Sequence, residues 1–389
     1  MSAGMSTQLA VSTAITPRFI HGAVEVERTA AGLLPHRLPA WARAQCADPQ
    51  LAMAQSQPSG VRLVFRTTAT ELELVVLPTK RVYGSMAARA DGIYDLLVDG
   101  RLLRQASVRG GQAMKIDMAS GATTLVPGEA RSLRFGELPG GFKHVEIWLP
   151  HDETTELLAL RSSAPVFVVT EAGRKRWVHH GSSISQGSNA AHPSGIWPAV
   201  AAARAGLDLL NLGFGGSALL DPFVARSIRD LPADLISLKI GINLVNTDLM
   251  RLRAFAPAVH GFLDTIRDGH PDTPLYLVSP LCCPMHEEVP GPTQFDTGAL
   301  AAGRVMFRAG GSVHELAQGK LNLRLIREGL AAIVRQRAAS DPQLHYVDGL
   351  ALYGHEDSAR MALRDELHPD ADSHRLIGER FADLVLAGS

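Results

Sequence analysis

The hydrophobic period changes near residue 174, and this change constrains the fold more than any other feature of the chain. Up to about residue 165 the apolar residues form short alternating runs, separated by breaks that contain Gly or Pro. After residue 174, short apolar runs alternate with longer segments of helical period. A period of two indicates strands, whereas strands that alternate with helices indicate a parallel sheet. The sequence therefore predicts two domains of different class.

The first domain is predicted to be a β-sandwich over residues 17–170, preceded by a flexible N-terminus at 1–16. Candidate strands cover 61–66, 71–77, 94–98 and 145–149. We expect the second of these to end at Pro78, and Asp99-Gly100 after the third is suited to a tight hairpin. Many short strands with frequent turns are typical of a sandwich.

The second domain is predicted over residues 174–389 as an α/β fold. Five candidate strands alternate with five helices, which calls for a five-stranded parallel sheet covered on both faces. The strands are expected at 177–180, 207–212, 235–240, 275–279 and 344–347, and the helices at 196–204, 218–229, 249–267, 321–339 and 373–387. Residues 281–320 form a long insertion rich in Gly and Pro, and such insertions often form lids or substrate walls.

Composition excludes several functional classes. The 389 residues are 46% hydrophobic and 20% charged, with a formal net charge of -1, so nothing favours a nucleic acid or an anionic membrane as partner. Two of the three cysteines are adjacent, which argues against a disulfide framework or a four-ligand zinc site. The N-terminus lacks a secretory pattern, and no apolar run reaches the roughly 20 residues of a membrane helix. We expect a cytoplasmic protein whose oligomeric state stays open.

Ser183 in Gly181-Ser182-Ser183 is the candidate nucleophile. It follows a predicted strand, and ligands of parallel sheets collect at the carboxyl ends of the strands. The alternative is a loop serine that only caps a helix. The motif differs from the G-x-S-x-G elbow of α/β-hydrolases because position 185 is Ser.

Asp365 and His368 are the candidate acid and base. An Asp three residues before a His can hold one ring nitrogen, which leaves the other to remove a proton from a serine hydroxyl. A lone loop His is more often structural, but the upstream Asp and the position after the fifth strand favour a catalytic pair.

Two further strand ends carry candidate hydrogen-bond donors. Gly216 lies in Asn211-Leu212-Gly213-Phe214-Gly215-Gly216, where glycines let a backbone N–H approach a ligand. Asn243 follows Gly241, and its amide could face a developing oxyanion. The alternatives are a tight turn for the glycines and a helix cap for the Asn.

The four blocks, in this order over roughly residues 174–389, resemble the GDSL, or SGNH, family of serine esterases and acyltransferases. The resemblance implies Ser183 as nucleophile, Asp365 as acid and His368 as base. It also implies an oxyanion hole formed by the N–H groups of Ser183 and Gly216 and the side chain of Asn243. The implied fold is a flavodoxin-like three-layer sandwich.

Two positions depart from the family pattern. Ser182 stands where the family usually has Asp, and Leu244 stands where an Asp usually follows the Asn. The first change affects hydrogen bonding around the nucleophile, and the second changes a supporting residue. Neither removes a residue to which the resemblance gives a chemical role.

The sandwich before this domain is similar to a carbohydrate-binding module preceding a carbohydrate esterase. It is also similar to the arrangement in GDSL-type salicylyl acyltransferases of tetracycline-type polyketide pathways. The implied function is acyl transfer through acyl-Ser183, from an O-acyl or thioester donor such as acyl-CoA to a small-molecule alcohol, including a polyketide-type hydroxyl. A plain sugar O-acyl esterase that uses water and a non-catalytic glycan-binding protein are the alternatives. No bound cofactor or metal is expected.

Overall fold

The computed structural model describes residues 9–84, 89–117, 122–169 and 173–387. The described residues divide into two compact units, the first within residues 1–36 and 56–172 and the second within residues 37–55 and 173–389. Segment 37–55 thus departs from the predicted boundaries, which placed it within the sandwich. Of the N-terminus predicted to be flexible, residues 1–8 lie outside the described ranges, whereas Val11–Thr13 form a strand.

The first unit is an all-β sandwich, as predicted. Within the described ranges, its larger sheet has eight strands: Val11–Thr13, Glu25–Arg28, Leu33–His36, Leu72–Tyr83, Gln112–Ile116, Thr123–Val126, Arg131–Phe135 and Thr154–Ser162. The other sheet comprises six strands among the residues that the structure describes: Ile20–His21, Arg62–Thr67, Ile93–Val98, Arg101–Ser107, Lys143–Trp148 and Val166–Val168. Alternate apolar residues of both sheets form one buried cluster, because successive strand side chains face opposite sides.

A hairpin and a strand end were predicted in this unit, and the structure confirms only the hairpin. Asp99 and Gly100 have φ of 48° and 77° and join two strands as the predicted hairpin. The expected strand end at Pro78 is wrong, because Leu72–Tyr83 continues through it. Before Pro78 the strand pairs on one edge with Arg131–Phe135, and after it with Gln112–Ile116. The missing proline N–H therefore falls between two partner strands, where a ladder bond is not needed.

The second unit is the predicted α/β fold. Its five parallel strands lie in the order Asp208–Gly213, Arg176–Gly181, Leu235–Lys239, Leu275–Val278 and Leu344–Val347. The long helices are Trp197–Ala205, Pro222–Asp230, Leu252–Arg267, Leu323–Arg337 and Ala371–Phe381, which continues as a π-helical turn at Ala382–Leu386. Trp177 packs against helices on one face of the sheet and His180 against a helix on the other, which gives three layers.

Short elements complete the unit. The short helices are Ala40–Arg43, Pro49–Ser56, Ser183–Gln186, Ile242–Asn246, Gly349–Leu352 and His355–Arg360. The insertion contains a hairpin of Thr293–Phe295 and Phe307–Ala309, with helix Thr297–Ala301 between its strands. Tight 3-10 turns occur in this unit at Pro193–Gly195, Pro284–His286 and Val313–Gln318, and in the first unit at Pro17–Phe19. Among the helices that the structure describes, none combines the length and apolar character needed to cross a membrane.

Candidate active site

Ser183 opens a short helix directly after strand Arg176–Gly181. The turn is tight: a Cβ on Gly181 would lie 2.3 Å from the Ser185 Oγ, so only glycine fits there. The helix ends at Gly187, whose φ of 115° is strained for other residues. Ser183 is therefore held, half-buried, at the carboxyl edge of the sheet.

Ser183, His368 and Asp365 form a continuous hydrogen-bonded relay. The Ser183 Oγ lies 2.9 Å from the His368 Nε2, and the His368 Nδ1 lies 2.8 Å from the Asp365 Oδ2. A carboxylate can only accept, so the Nδ1 carries the ring proton and the Nε2 accepts from the serine hydroxyl. This is the arrangement that a general base needs.

The acid–base loop, residues 365–368, is fixed largely by its own backbone. The Asp365 Oδ1 accepts from the backbone N–H groups of Leu367 and His368 at 3.0 and 2.7 Å. Glu366 between them has a φ of 67°, an unusual conformation that lets the loop fold back. The Asn189 Nδ2 also donates to the Asp365 Oδ2 at 3.1 Å. Burial raises the pKa of Asp365, but the bonds from His368 and the backbone outweigh it and lower the pKa below its usual value.

The insertion reaches the acid–base loop through Phe307. Its backbone N–H donates to the Asp365 carbonyl at 3.0 Å, and its ring meets the His368 ring edge-on at 5.8 Å between centroids. An edge-on contact is a favoured aromatic geometry. Strand Phe307–Ala309 thus helps to fix the imidazole plane.

The donor turn, residues Phe214–Ser217, follows strand Asp208–Gly213. Ser217 donates its N–H to the Phe214 carbonyl at 3.0 Å, and Gly216 in the third position has a φ of 73°, as in a type II turn. Gly215 lies beside the nucleophile, since a Cβ there would be 3.5 Å from the Ser183 Cβ. Among the described residues, the Gly216 N–H donates to no other group.

Asn243 lies in helix Ile242–Asn246 and is buried against the donor turn. Its Oδ1 accepts from the Ala218 N–H at 3.1 Å, and a backbone donor of this kind fixes which side of the amide carries the nitrogen. Within the described ranges, the Nδ2 donates to no protein group. Asn246, three residues further along the same short helix, instead accepts from the Thr293 hydroxyl at 2.8 Å.

Arg37 and Gln50 belong to no recognisable sequence motif. Arg37 contacts the strand that leads into the donor turn, and Gln50 contacts the turn itself. The buried Arg37 guanidinium donates to the carbonyls of Asn211 and Gly213 at 3.1 and 2.5 Å, and burial lowers its pKa to about 9. The Gln50 Nε2 donates to the Gly215 carbonyl at 2.8 Å across 165 residues of sequence. No local pattern could have indicated contacts over such a separation.

Lys239 is an unexpected buried lysine at the end of strand Leu235–Lys239. Burial, and then the positive charge of Arg327, lower its pKa to about 7. It lines a cavity of about 10 Å³ that also includes Cys282 and Cys283, a volume that fits a single water molecule. Burial also raises the pKa of both thiols, that of Cys282 to about 11, so the thiols stay protonated at neutral pH.

Ser182, one of the two departures from the family pattern, lies directly before the nucleophile. The Ser182 hydroxyl is buried and, among the described residues, has no hydrogen-bond partner. Within the same ranges, no group of three His, Cys, Asp or Glu side chains is arranged to hold a metal ion.

Residues 174–286 match the model of the GDSL-like Lipase/Acylhydrolase family. Among solved structures, the salicylyl-acyltransferase SsfX3 from a tetracycline biosynthetic pathway is 28% identical over 95% of each chain, with a TM-score of 0.78. A protein described as a GDSL-like lipase from Bacteroides ovatus is 18% identical over 93% of each chain, with a TM-score of 0.65. A family two carbohydrate esterase from Clostridium thermocellum is 14% identical over 84% of this chain and 91% of its own, with a TM-score of 0.55.

The last two likenesses show the fold alone, whereas the first extends to sequence. No curated protein matches the chain. The family match covers the nucleophile, the donor turn and Asn243, and ends before the acid–base loop. The comparisons confirm the predicted resemblance and support a GDSL/SGNH hydrolase-fold enzyme.

Proposed function

We propose that the protein catalyses serine-dependent acyl transfer through an acyl-Ser183 intermediate. The observation that carries this proposal is the relay from the Ser183 Oγ through the His368 imidazole to Asp365, with separations of 2.9 and 2.8 Å. Beside the relay lie two N–H donors with no partner among the described residues, on Gly216 and on the Asn243 side chain. A nucleophile, an oriented base and free donors at one strand edge are the parts that acyl transfer needs.

The reaction proceeds in two steps. As the Ser183 Oγ attacks the acyl carbonyl carbon, the His368 Nε2 takes its proton, and Asp365 stabilises the imidazolium. The oxyanion is stabilised by the N–H groups of Ser183 and Gly216 and by the Asn243 amide. Collapse releases the alcohol or thiol, which receives its proton from His368. The acceptor then gives a proton to His368, attacks the acyl-enzyme and frees Ser183.

An alcohol is the acceptor that we favour. The acyltransferase SsfX3 is 28% identical over nearly the whole of both chains, which is more than a shared fold. We therefore propose an acyl-CoA or another acyl thioester as donor and a hydroxyl of a polyketide-type natural product as acceptor. The steps above use only side chains and backbone groups, so the proposal includes no bound cofactor or metal.

Hydrolysis is the second candidate. The His368 Nε2, which lies 2.9 Å from the Ser183 Oγ, can deprotonate water as well as an alcohol once the acyl-enzyme has formed. In that case the protein would be an O-acyl esterase, with a sugar ester as one substrate class. Acceptor choice depends on how well the site excludes water.

Replacing Ser183 with Ala tests the mechanism. We expect kcat with an activated ester to fall by a factor on the order of 10⁶, because the nucleophile is lost. Ser182→Ala is the matched control, since its buried hydroxyl has no partner among the described residues, and it should retain activity. Full turnover by Ser183→Ala would refute the proposal. A native protein that no active-site serine probe labels would favour the non-catalytic glycan-binding alternative.

Mass spectrometry distinguishes the two acceptors. The enzyme is incubated with an acyl-CoA, with and without a polycyclic alcohol. We expect an acylated alcohol whose formation needs Ser183. Rapid release of CoA with free acid as the sole product, in both incubations, would assign the protein to the esterases.

A further inference from the structure

The donor turn contains one peptide group whose orientation is not set by its own sequence. Type I and type II turns differ by a flip of the central peptide, and glycine at both central positions permits either form. In the planar trans peptide between Gly215 and Gly216, the carbonyl of Gly215 and the N–H of Gly216 point in opposite directions. A contact that fixes this carbonyl therefore also fixes the direction of the N–H.

Gln50 makes that contact. Its Nε2 donates to the Gly215 carbonyl at 2.8 Å, whereas the Gln186 Oε1 accepts from the Gly215 N–H at 2.7 Å. The two glutamines thus hold the peptide groups on both sides of Gly215. Gln50 also fills the space beside Gly216, where a Cβ would lie 3.3 Å from the Gln50 Cγ.

The helix that carries Gln50 is itself anchored within the second unit. Asp48 caps helix Pro49–Ser56 by accepting from the Gln50 N–H at 2.7 Å. Arg37 bridges the Ala54 carbonyl of this helix and the Gly213 carbonyl, the last group of the strand before the donor turn. The Gln50 side chain therefore extends from a fixed base toward the turn.

We propose that Gln50 is a positioning residue for the oxyanion hole, which holds the Gly215–Gly216 peptide in the orientation that presents the Gly216 N–H to the reacting carbonyl. This inference rests on the proposed acyl-transfer function. A hydrogen bond to the carbonyl also polarises the peptide group, so the same contact strengthens the N–H as a donor. Gln50 acts through Gly216 and forms no bond with the substrate.

Three substitutions of Gln50 separate the effect of its amide N–H donor from the effect of its side-chain volume. Gln50→Ala removes both, and Gln50→Glu keeps the bulk but cannot donate when ionised. Gln50→Lys restores a donor of similar reach. Gln45→Ala is the matched control, because Gln45 is an exposed glutamine of the same segment whose side-chain Oε1 accepts from the Arg226 guanidinium and does not contact the turn.

We expect kcat with an activated ester to fall about 10-fold in Gln50→Ala, because a misoriented donor costs less than the 10²- to 10³-fold loss of a deleted one. Gln50→Glu should lose at least as much, Gln50→Lys should recover part of the loss, and KM should change little. A trifluoromethyl ketone, which forms a tetrahedral adduct with a serine, should bind more weakly in proportion to the loss of kcat/KM.

The outcomes separate this inference from the proposed function. If Gln50→Glu and Gln50→Ala match Gln45→Ala in kcat and in ketone affinity, the positioning role is refuted while acyl transfer stands. A change in KM alone would also refute it, because it would make Gln50 a substrate contact. Turnover that survives in Ser183→Ala would refute the proposed function itself.

Discussion

The acid–base loop and the donor turn would serve the same proposed reaction, but they are specified in different ways. In the loop, Asp365 bonds the ring of His368 and the backbone of Leu367 and His368, all within four residues. The donor turn takes its contacts from Gln186 and from Gln50, the latter 165 residues away. A short motif can therefore encode the loop, whereas the turn depends on the assembled fold. Substitutions in the loop should act at the site itself, and those affecting the turn can lie far from it in sequence.

Asp365→Asn tests the acid–base loop and should lower kcat more than any substitution that affects the donor turn. The oxygen of the introduced amide can still accept from the two backbone N–H groups, so the loop should keep its shape. The amide nitrogen would then face the His368 Nδ1 and force the ring proton onto the Nε2, which could no longer accept from Ser183. We expect kcat to fall on the order of 10⁴-fold at unchanged folding.

Asp370→Asn provides the control for that experiment. Asp370 caps helix Ala371–Phe381 by accepting from the Ser373 N–H, and Asn caps helices as well as Asp does. Its kcat should match that of the wild type. Equal losses in the two variants would show that the loop responds to charge in general rather than to the ring tautomer. Initial rates and far-UV circular dichroism of both proteins decide between these outcomes.

Asn243→Asp tests the donor side and should have the next largest effect. The change keeps the acceptor for the Ala218 N–H but removes the amide donor, so the turn should stay in place. We expect kcat to fall by about 10² to 10³, the usual loss of one oxyanion donor. Asn246→Ala, beside it on the same short helix but bonded to Thr293, should leave kcat nearly unchanged. Similar kinetics for the two variants would exclude Asn243 as a donor.

The sequence predicts the second unit well because its signals are local. Its five strands and five long helices differ from the expected ranges by only a few residues. The differences are small because each element is marked by an apolar pattern within its own stretch of sequence. The strand ends also place Ser183 and Asn243 at one edge, because parallel strands share their carboxyl side. The Ser183 Oγ and the Asp365 Oδ2 both lie within hydrogen-bonding distance of the His368 ring, as the proposed roles of nucleophile and acid require.

The features that sequence reasoning missed depend on long-range pairing. Pro78 continues a strand because two different partners flank it, and neither partner is visible in the local pattern. Arg37 and Gln50 belong to the second unit although their neighbours along the chain form the sandwich. Composition around these residues gives no sign of their contacts. Only the fold shows that the donor turn draws support from so far upstream.

Lys239 allows an independent test with a smaller expected effect, which concerns the stability of the strand that leads to Asn243. Burial lowers its pKa to about 7, whereas a lysine in the unfolded chain titrates near 10.4. Between these two values the unfolded chain holds the proton and the folded chain does not. Folding is therefore penalised most at and below neutral pH, and the penalty shrinks as pH rises toward 10.

Lys239→Met replaces the ammonium group with an apolar side chain of similar length and should abolish this dependence. We expect the free energy of unfolding of the variant to exceed that of the wild type at pH 7. At pH 9 this margin should be about 2 kcal/mol smaller. The margin is measured by urea unfolding followed by tryptophan fluorescence in a Trp148→Phe background, because Trp148 is buried in the first unit whereas Trp177 and Trp197 are buried in the second. Lys175→Met, at an exposed position of the same unit, corrects for the loss of a charge. A margin that is equal at both pH values would mean that Lys239 keeps its proton in the folded protein, so that the strand leading to Asn243 carries a permanent buried charge.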